Sequence, residues 1–134
     1  MKLRRVALII LYDDKKRILL QDRTGISKYG EKWAYFGGGI EEGETPEQAL
    51  VRETEEELSY DLKEFRYIGK FSDEVSGLRI EMDTFIAPLP EMSKLHQKEG
   101  KHMQLFSLDD ALKLMENPRD KDVIIALKKI LQIS

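Results

Sequence analysis

Residues 37–58 read GGGIEEGETPEQALVRETEEEL, three consecutive glycines followed by eight glutamates. After Gly43 the segment consists almost entirely of strong helix formers. Thr45 supplies an N-cap hydroxyl, Pro46 stands at the first helical position, and Gln48 completes a capping box. The stretch therefore predicts a glycine turn that leads into a well-defined helix.

The glutamates of this helix are predicted to fall on different faces. At about 100° per residue, Glu57 lies roughly 40° from Glu53 around the helix, and Glu56 lies roughly 60° away on the other side. These three carboxylates share one face, whereas Glu55 lies near the opposite side and is predicted to be solvated. An apolar stripe beside the acidic face consists of Leu50, Val51, Thr54 and Leu58. The helix is therefore expected to pack on one side and expose carboxylates on the next.

A solvated acidic face is the ordinary interpretation of a glutamate-rich helix. Like charges three or four residues apart repel, however, by about a few tenths of a kcal/mol for each pair. Clustered carboxylates are the ligands that Mg²⁺ takes in proteins, together with waters and substrate phosphates. A turn formed by Gly37, Gly38 and Gly39 would admit both the ion and a substrate phosphate, and would let a backbone carbonyl approach the ion. The glycines and the acidic face together predict one metal site.

The same residues carry a resemblance to a known family. From Gly38 the chain runs through Glu44 to residues 52–60, RETEEELSY, and this spacing resembles the Nudix box G-x5-E-x7-R-E-U-x-E-E-x-G-U. Every charged position of the box matches. Thr54 stands where the family usually has an aliphatic residue, and Ser59 replaces the glycine after the helix. The turn that follows the helix is therefore expected to differ from the usual one.

Outside the box, the sequence predicts further strands and helices. The strands are aliphatic or β-branched runs bounded by turn residues, and the helices are a short one capped by Ser107 and an amphipathic one near the C-terminus. The predicted strands cover residues 3–12, 17–22, 62–73, 78–88 and 102–106. This order predicts an α/β (α+β) fold with a mixed β-sheet between helices. The resemblance implies the same architecture, a Nudix-type α/β/α sandwich formed by residues 1–134 as a single domain.

The resemblance also implies a reaction and a ligand set. Members of the family hydrolyse a nucleoside diphosphate linked to another group X, by attack of water on a phosphorus of the pyrophosphate. By resemblance, Glu53, Glu56, Glu57 and the carbonyl of Gly38 hold Mg²⁺, for which Mn²⁺ is a possible substitute. Glu99, in a late loop, is a candidate additional ligand, with a solvated loop glutamate as the alternative. Which carboxylate acts as the general base stays open, because that assignment needs geometry as well as charge.

Four further residues are assigned supporting roles. Arg52 stands one turn before Glu56 and is predicted to orient that carboxylate or the carboxylate of Glu44. Glu44 is accordingly grouped with the catalytic residues in a structural role rather than as a primary ligand. Arg23, at the end of the second predicted strand, is a candidate phosphate-binding cation, with a surface arginine as the alternative. Trp33 is a candidate for stacking on the substrate, although such aromatics more often fill the core.

Composition limits the partners and the setting of the protein. A chain of 134 residues with 41% hydrophobic residues suffices for one core. The absence of cysteine excludes disulfides and thiolate catalysis, and fits a cytoplasmic location. Charges of both signs are interspersed with a net charge of −3, which argues against a nucleic acid polymer as partner. No run approaches the ~20 apolar residues of a membrane helix. A homodimer stays open, because dimers are common in the family.

Markers outside the box narrow the substrate by elimination. ADP-ribose enzymes of the family frequently carry proline where this chain has Val75-Ser76, and dinucleoside polyphosphate enzymes often carry tyrosine where it has Gly77-Leu78. The chain most resembles the nucleoside triphosphate pyrophosphohydrolases, including those that clear oxidised nucleotides. An ADP-ribose or NDP-sugar pyrophosphatase is the alternative. A non-catalytic nucleotide-sensing domain is a third reading, and the retained glutamates of the box disfavour it.

Overall fold

The chain folds into a seven-stranded sheet with helices on both faces, in a computed structural model that describes residues 2–25, 32–98 and 102–132. This is the predicted architecture. The strands are β1 Lys2–Tyr12, β2 Ile18–Asp22, β3 Trp33–Ala34, β4 Phe36–Gly39, β5 Arg66–Val75, β6 Leu78–Pro88 and β7 Met103–Phe106. The helices are α1 Pro46–Leu58, α2 Leu108–Leu114 and α3 Pro118–Gln132, with a short 3₁₀ turn at Met92–Lys94.

Strand β1 is the centre of the sheet. It pairs in parallel with β6 along its whole length and antiparallel with β4, where Val6 lies opposite Gly39. β2 joins β1 only beside the hairpin turn, at Tyr12 and Ile18, and then pairs with β3 and β7. The mixed order places β4 next to the central strand, and α1 packs across both of them.

A separate hydrophobic core lies on each face of the sheet. The stripe predicted for α1 is confirmed, because Leu50, Thr54 and Leu58 are buried and Val51 is partly buried. On the opposite face, α2 and α3 cover the sheet, and the residues they bury there include Ala111, Val123, Ile124 and Leu127. Ser107 caps α2 as predicted. No helix in the described part of the chain combines the length and apolarity needed to cross a membrane.

Helix α1 begins as the sequence predicts. The Thr45 hydroxyl accepts from the Gln48 backbone N–H at 3.1 Å, and the Gln48 side chain accepts from the Thr45 N–H at 2.9 Å. The helix ends at Leu58, and the next residue, Ser59, adopts the left-handed conformation with φ of 54° and donates its N–H to the carbonyl of Glu55. The expectation of a different turn is therefore wrong, since serine here takes the conformation that glycine usually supplies.

Replacing Ser59 by glycine is expected to stabilise the protein. A residue with a Cβ is strained in the left-handed region, and glycine removes that strain at some cost in unfolded-state entropy. The net gain should be about 0.5 to 1 kcal/mol in the free energy of unfolding, or roughly 2 to 4 °C in melting temperature. Thermal unfolding of the wild type and Ser59→Gly checks this. An unchanged or lower melting temperature would show that the Ser59 side chain makes a compensating interaction.

Two other predicted features differ in the structure. The three glycines form strand β4 rather than a turn, because the chain lies so close to β1 that a Cβ on Gly37 would stand 2.1 Å from the carbonyl oxygen of Ala7. Glycine serves close packing here as well as flexibility. The third long strand starts at Arg66 instead of residue 62. Leu62 is buried against the α1-side core without joining the sheet, so its apolar character reflects core packing and not a strand.

Candidate active site

Strand β4 lies directly against the acidic face of α1. A Cβ built on Gly38 would stand 2.4–2.6 Å from the three carboxyl atoms of Glu53, so the carboxylate occupies the space above that glycine. The backbone N–H of Gly37 donates to Glu57 Oε2 at 2.9 Å. The strand therefore fixes two of the three glutamates that the sequence placed on one helix face.

Arg52 joins Glu44 and Glu56 to this cluster. Its Nε and Nη2 donate to the two carboxylate oxygens of Glu44 at 2.8 and 2.9 Å. Its Nη1 donates to Glu53 Oε1 at 2.9 Å and to Glu56 Oε2 at 3.3 Å, while Nη2 also donates to the Gly39 carbonyl at 3.0 Å. One guanidinium thus contacts three carboxylates and the strand, which is the geometry that an orienting residue requires.

The electrostatic environment differs among these carboxylates. The hydrogen bonds from Arg52 lower the pKa of Glu44 to about 2, so this carboxylate stays ionised at any physiological pH. Burial raises the pKa of Glu53, and the partial compensation by Arg52 does not cancel that effect. The Glu53 side chain is 16% exposed, whereas that of Glu56 is 56% exposed. An additional cation would therefore stabilise the ionised form of Glu53, which burial disfavours.

Replacing Glu44 by glutamine is expected to remove part of the acid sensitivity of the fold. Because the folded-state pKa of about 2 lies below the ordinary value of 4.5, the stabilising contribution of Glu44 is complete above pH 4.5 and is lost as the pH falls towards 2. The difference in the free energy of unfolding between the wild type and Glu44→Gln should therefore shrink as the pH falls across this window. Urea unfolding in EDTA at pH 7, 4 and 3 measures it. A difference that stays constant with pH would contradict the lowered pKa of Glu44.

The loop that precedes Glu99 is tied to the end of α1. The N–H of His96 donates to the carbonyl of Leu58 at 2.8 Å, and the N–H of Lys98 donates to the carbonyl of Glu57 at 2.9 Å. These bonds satisfy carbonyls that a helix end otherwise leaves unpaired. Glu99 itself lies outside the described residues. This pair of backbone hydrogen bonds is not predictable from the sequence, because such bonds do not depend on residue identity.

The other two candidate substrate residues lie just after β2 and in β3. Arg23 follows β2, and its Nη1 donates to Gln21 Oε1 at 3.4 Å. Trp33, in β3, makes edge-on ring contacts with Phe106 and His102, at centroid distances of 4.8 and 5.3 Å. Trp33 is thus half-buried in an aromatic cluster. Gln21 was not singled out from the sequence, because one amide within an apolar strand carries no specific signal.

Comparison with known proteins agrees with the fold. The NUDIX domain model matches residues 2–127. The CTP pyrophosphohydrolase of Escherichia coli is 39% identical over 83 residues, which span 62% of this chain and 60% of that relative. The 8-oxo-dGTP diphosphatase of Escherichia coli is 29% identical over 97% of this chain and 100% of its own length. The solution structure of the E. coli ORF135 protein superposes with a TM-score of 0.81 at 29% identity, covering 99% of this chain and 94% of that one.

The fold and the cluster define a class of α/β/α proteins in which a glutamate-rich helix lies over a glycine strand. The chain belongs to the NUDIX domain family. It is a hydrolase that acts on pyrophosphate bonds. Enzymes of this family generally use divalent metal ions.

The donor set of the cluster fits such an ion in its chemistry. Glu53 and Glu56 both contact the same Arg52 nitrogen, so their carboxylates already lie around one positive charge. Carboxylate oxygens are the donors that hard divalent cations prefer. Within residues 2–25, 32–98 and 102–132, no three acidic or histidine side chains are already arranged as a ligand cluster. Binding therefore requires that these side chains adjust, which the exposed position of Glu56 permits.

Proposed function

We propose that this chain hydrolyses nucleoside triphosphates, oxidised forms included, to the monophosphate and pyrophosphate in a Mg²⁺-dependent reaction. The observation that carries the proposal is the packing of Glu53 and Glu57 on β4, with Arg52 between the carboxylates and the strand. The names of two relatives, a CTP pyrophosphohydrolase and an 8-oxo-dGTP diphosphatase, support nucleoside triphosphates as the substrate class.

The roles of the cluster follow from its contacts. Glu53, Glu56 and Glu57 would hold the ion together with the carbonyl of Gly38. When bound, Mg²⁺ supplies charge neutralisation for the pyrophosphate and lowers the pKa of a bound water. Arg52 orients the Glu53 and Glu56 carboxylates. The N–H of Gly37 fixes Glu57 from the strand side, so that the helix and strand cannot move apart without breaking these bonds.

Residues around the cluster complete the proposal. Glu44 anchors the guanidinium of Arg52 through the paired hydrogen bonds. Arg23 is the cation for a substrate phosphate, and Trp33 contributes an aromatic surface near β4. Glu99 is proposed as an additional ligand, and the loop bond from Lys98 to the Glu57 carbonyl supports that role because it brings the described end of the loop to α1.

The domain organisation, location and assembly of the protein are proposed from its composition and its family. Residues 1–134 are taken as one catalytic domain with a small nucleotide as its partner. A cytoplasmic location fits a chain without cysteine. A homodimer is proposed as the assembly to test by light scattering, because dimers are common in the family.

A substrate panel tests the proposed function. It should contain nucleoside triphosphates, oxidised dGTP, ADP-ribose, NDP-sugars and dinucleoside polyphosphates, each assayed with Mg²⁺, with Mn²⁺ and with EDTA. Metal-dependent release of pyrophosphate from the triphosphates is the expected result. Preference for ADP-ribose or an NDP-sugar would replace the substrate class. An intact panel with folded, metal-loaded protein would favour the nucleotide-sensing alternative instead.

A further inference from the structure

The polypeptide changes partner strands at Tyr35. Residues 33–34 form β3 on β2, whereas residues 36–39 form β4 on β1. The carbonyl of Tyr35 lies between the two ladders, where a buried backbone oxygen without a partner is costly. The side chain of Gln21 supplies that partner, because its Nε2 donates to the Tyr35 carbonyl at 3.1 Å.

The opposite end of the same amide contacts Arg23. Gln21 is 2% exposed, and its Oε1 accepts from Arg23 Nη1 at 3.4 Å. Residues two apart on an extended chain point to the same side, which lets the two side chains meet. One buried amide therefore bonds both the residue that precedes β4 and the candidate phosphate cation.

Tyr35 is held firmly at this junction. Its side chain is 7% exposed, and its hydroxyl donates to the carbonyl of Asp120 at 2.7 Å, near the start of α3. The residue that follows Tyr35 opens the strand whose glycines contact Glu53 and Glu57. The hydrogen bond to the Tyr35 carbonyl therefore ties Gln21 to a segment that reaches the carboxylate cluster within a few residues.

We infer that Gln21 is a positioning residue, which sets the guanidinium of Arg23 at a fixed place relative to β4 and the carboxylates above it. This inference rests on the proposed function, because it takes Arg23 as the phosphate-binding cation. Gln21 acts through Arg23 and has no role in the chemistry itself. A guanidinium that binds phosphate depends on direction as well as distance, so loss of the contact with Gln21 weakens binding.

Variants of Gln21 and Arg23 test the inference. Gln21→Met keeps the length of the side chain and removes both hydrogen bonds. It should raise KM for a nucleoside triphosphate about 10-fold and change kcat less than about 3-fold, because the cation rather than the carboxylates is displaced. Arg23→Gln should raise KM at least as much. The double variant should be no worse than Arg23→Gln alone, since Gln21 then has nothing left to position.

Binding of inorganic pyrophosphate in the presence of Mg²⁺, measured by calorimetry, gives a readout that needs no turnover. Gln21→Met and Arg23→Gln should each weaken it about 10-fold, again without adding. A panel without turnover would overturn the proposed function yet leave this measurement intact. Additive losses, an unchanged dissociation constant with only a lower melting temperature, or no pyrophosphate binding by the wild type would each overturn the inference.

Two further variants separate positioning from general stability. Tyr67→Phe removes a hydroxyl that donates to the buried carboxylate of Asp83 at 2.9 Å, outside the Gln21 network, and should leave KM unchanged. Gln21→Asn is the second test if Gln21→Met does not fold. It stays polar, yet it is too short to reach both partners, so it should weaken pyrophosphate binding as well. Wild-type affinity in a folded Gln21→Asn would contradict the inference.

Discussion

Replacing Glu57 by glutamine is expected to reduce triphosphate turnover about 1000-fold while the fold stays intact. Glutamine keeps an oxygen that can accept from the Gly37 N–H, so the contact with β4 survives. What disappears is the negative charge that the proposed ion requires. The free energy of unfolding should stay constant or rise by about a few tenths of a kcal/mol, because repulsion from Glu53 one turn away is relieved.

Steady-state kinetics at saturating Mg²⁺, together with urea unfolding, measures both parts of this result. Glu55→Gln is the matched control, because Glu55 is an exposed glutamate of the same helix outside the cluster. It should retain nearly full activity. Full activity in Glu57→Gln would refute the site assignment. An equal loss in Glu55→Gln would show that the helix acts through its total charge rather than through particular carboxylates.

The parts of the site that the sequence predicts are those set by local chain geometry. The capping residues Thr45 and Gln48 fix where α1 starts, and the helical repeat then fixes which glutamates share a face. Both follow from residue identity within one or two turns. The same reasoning predicted the buried stripe. Local rules were sufficient because the start of the helix and the face on which each residue lies do not depend on what the helix packs against.

The parts that the sequence does not predict depend on contacts between distant segments. Gly37 lies in a strand because β1 approaches its backbone closely, and no local pattern distinguishes that requirement from a turn. Gln21 is buried where the chain passes from one ladder to another, at a carbonyl 14 positions away. Each of these features is visible only when the whole sheet is assembled.

A substitution in the glycine strand β4 separates an effect on folding from an effect on catalysis. Gly38→Ala is expected to lower turnover by about 100- to 1000-fold, because the new methyl group would overlap the Glu53 carboxylate and displace it from Arg52. The fold should survive, since the displaced atoms are the far end of a flexible side chain. Kinetics and the melting temperature, measured on the same preparation, test both statements.

The neighbouring glycines provide contrasts within the same strand. Gly37→Ala should prevent folding, because its φ of 143° and the 2.1 Å approach to the Ala7 carbonyl oxygen leave no room for a side chain. Gly39→Ala should cost far less activity than Gly38→Ala, since no atom lies within 4 Å of the added carbon. Equal losses at Gly38 and Gly39 would mean that backbone flexibility matters rather than the space above Gly38. A graded result, with folding lost at one position and turnover at the next, would support the assignment of Glu53 to the catalytic site.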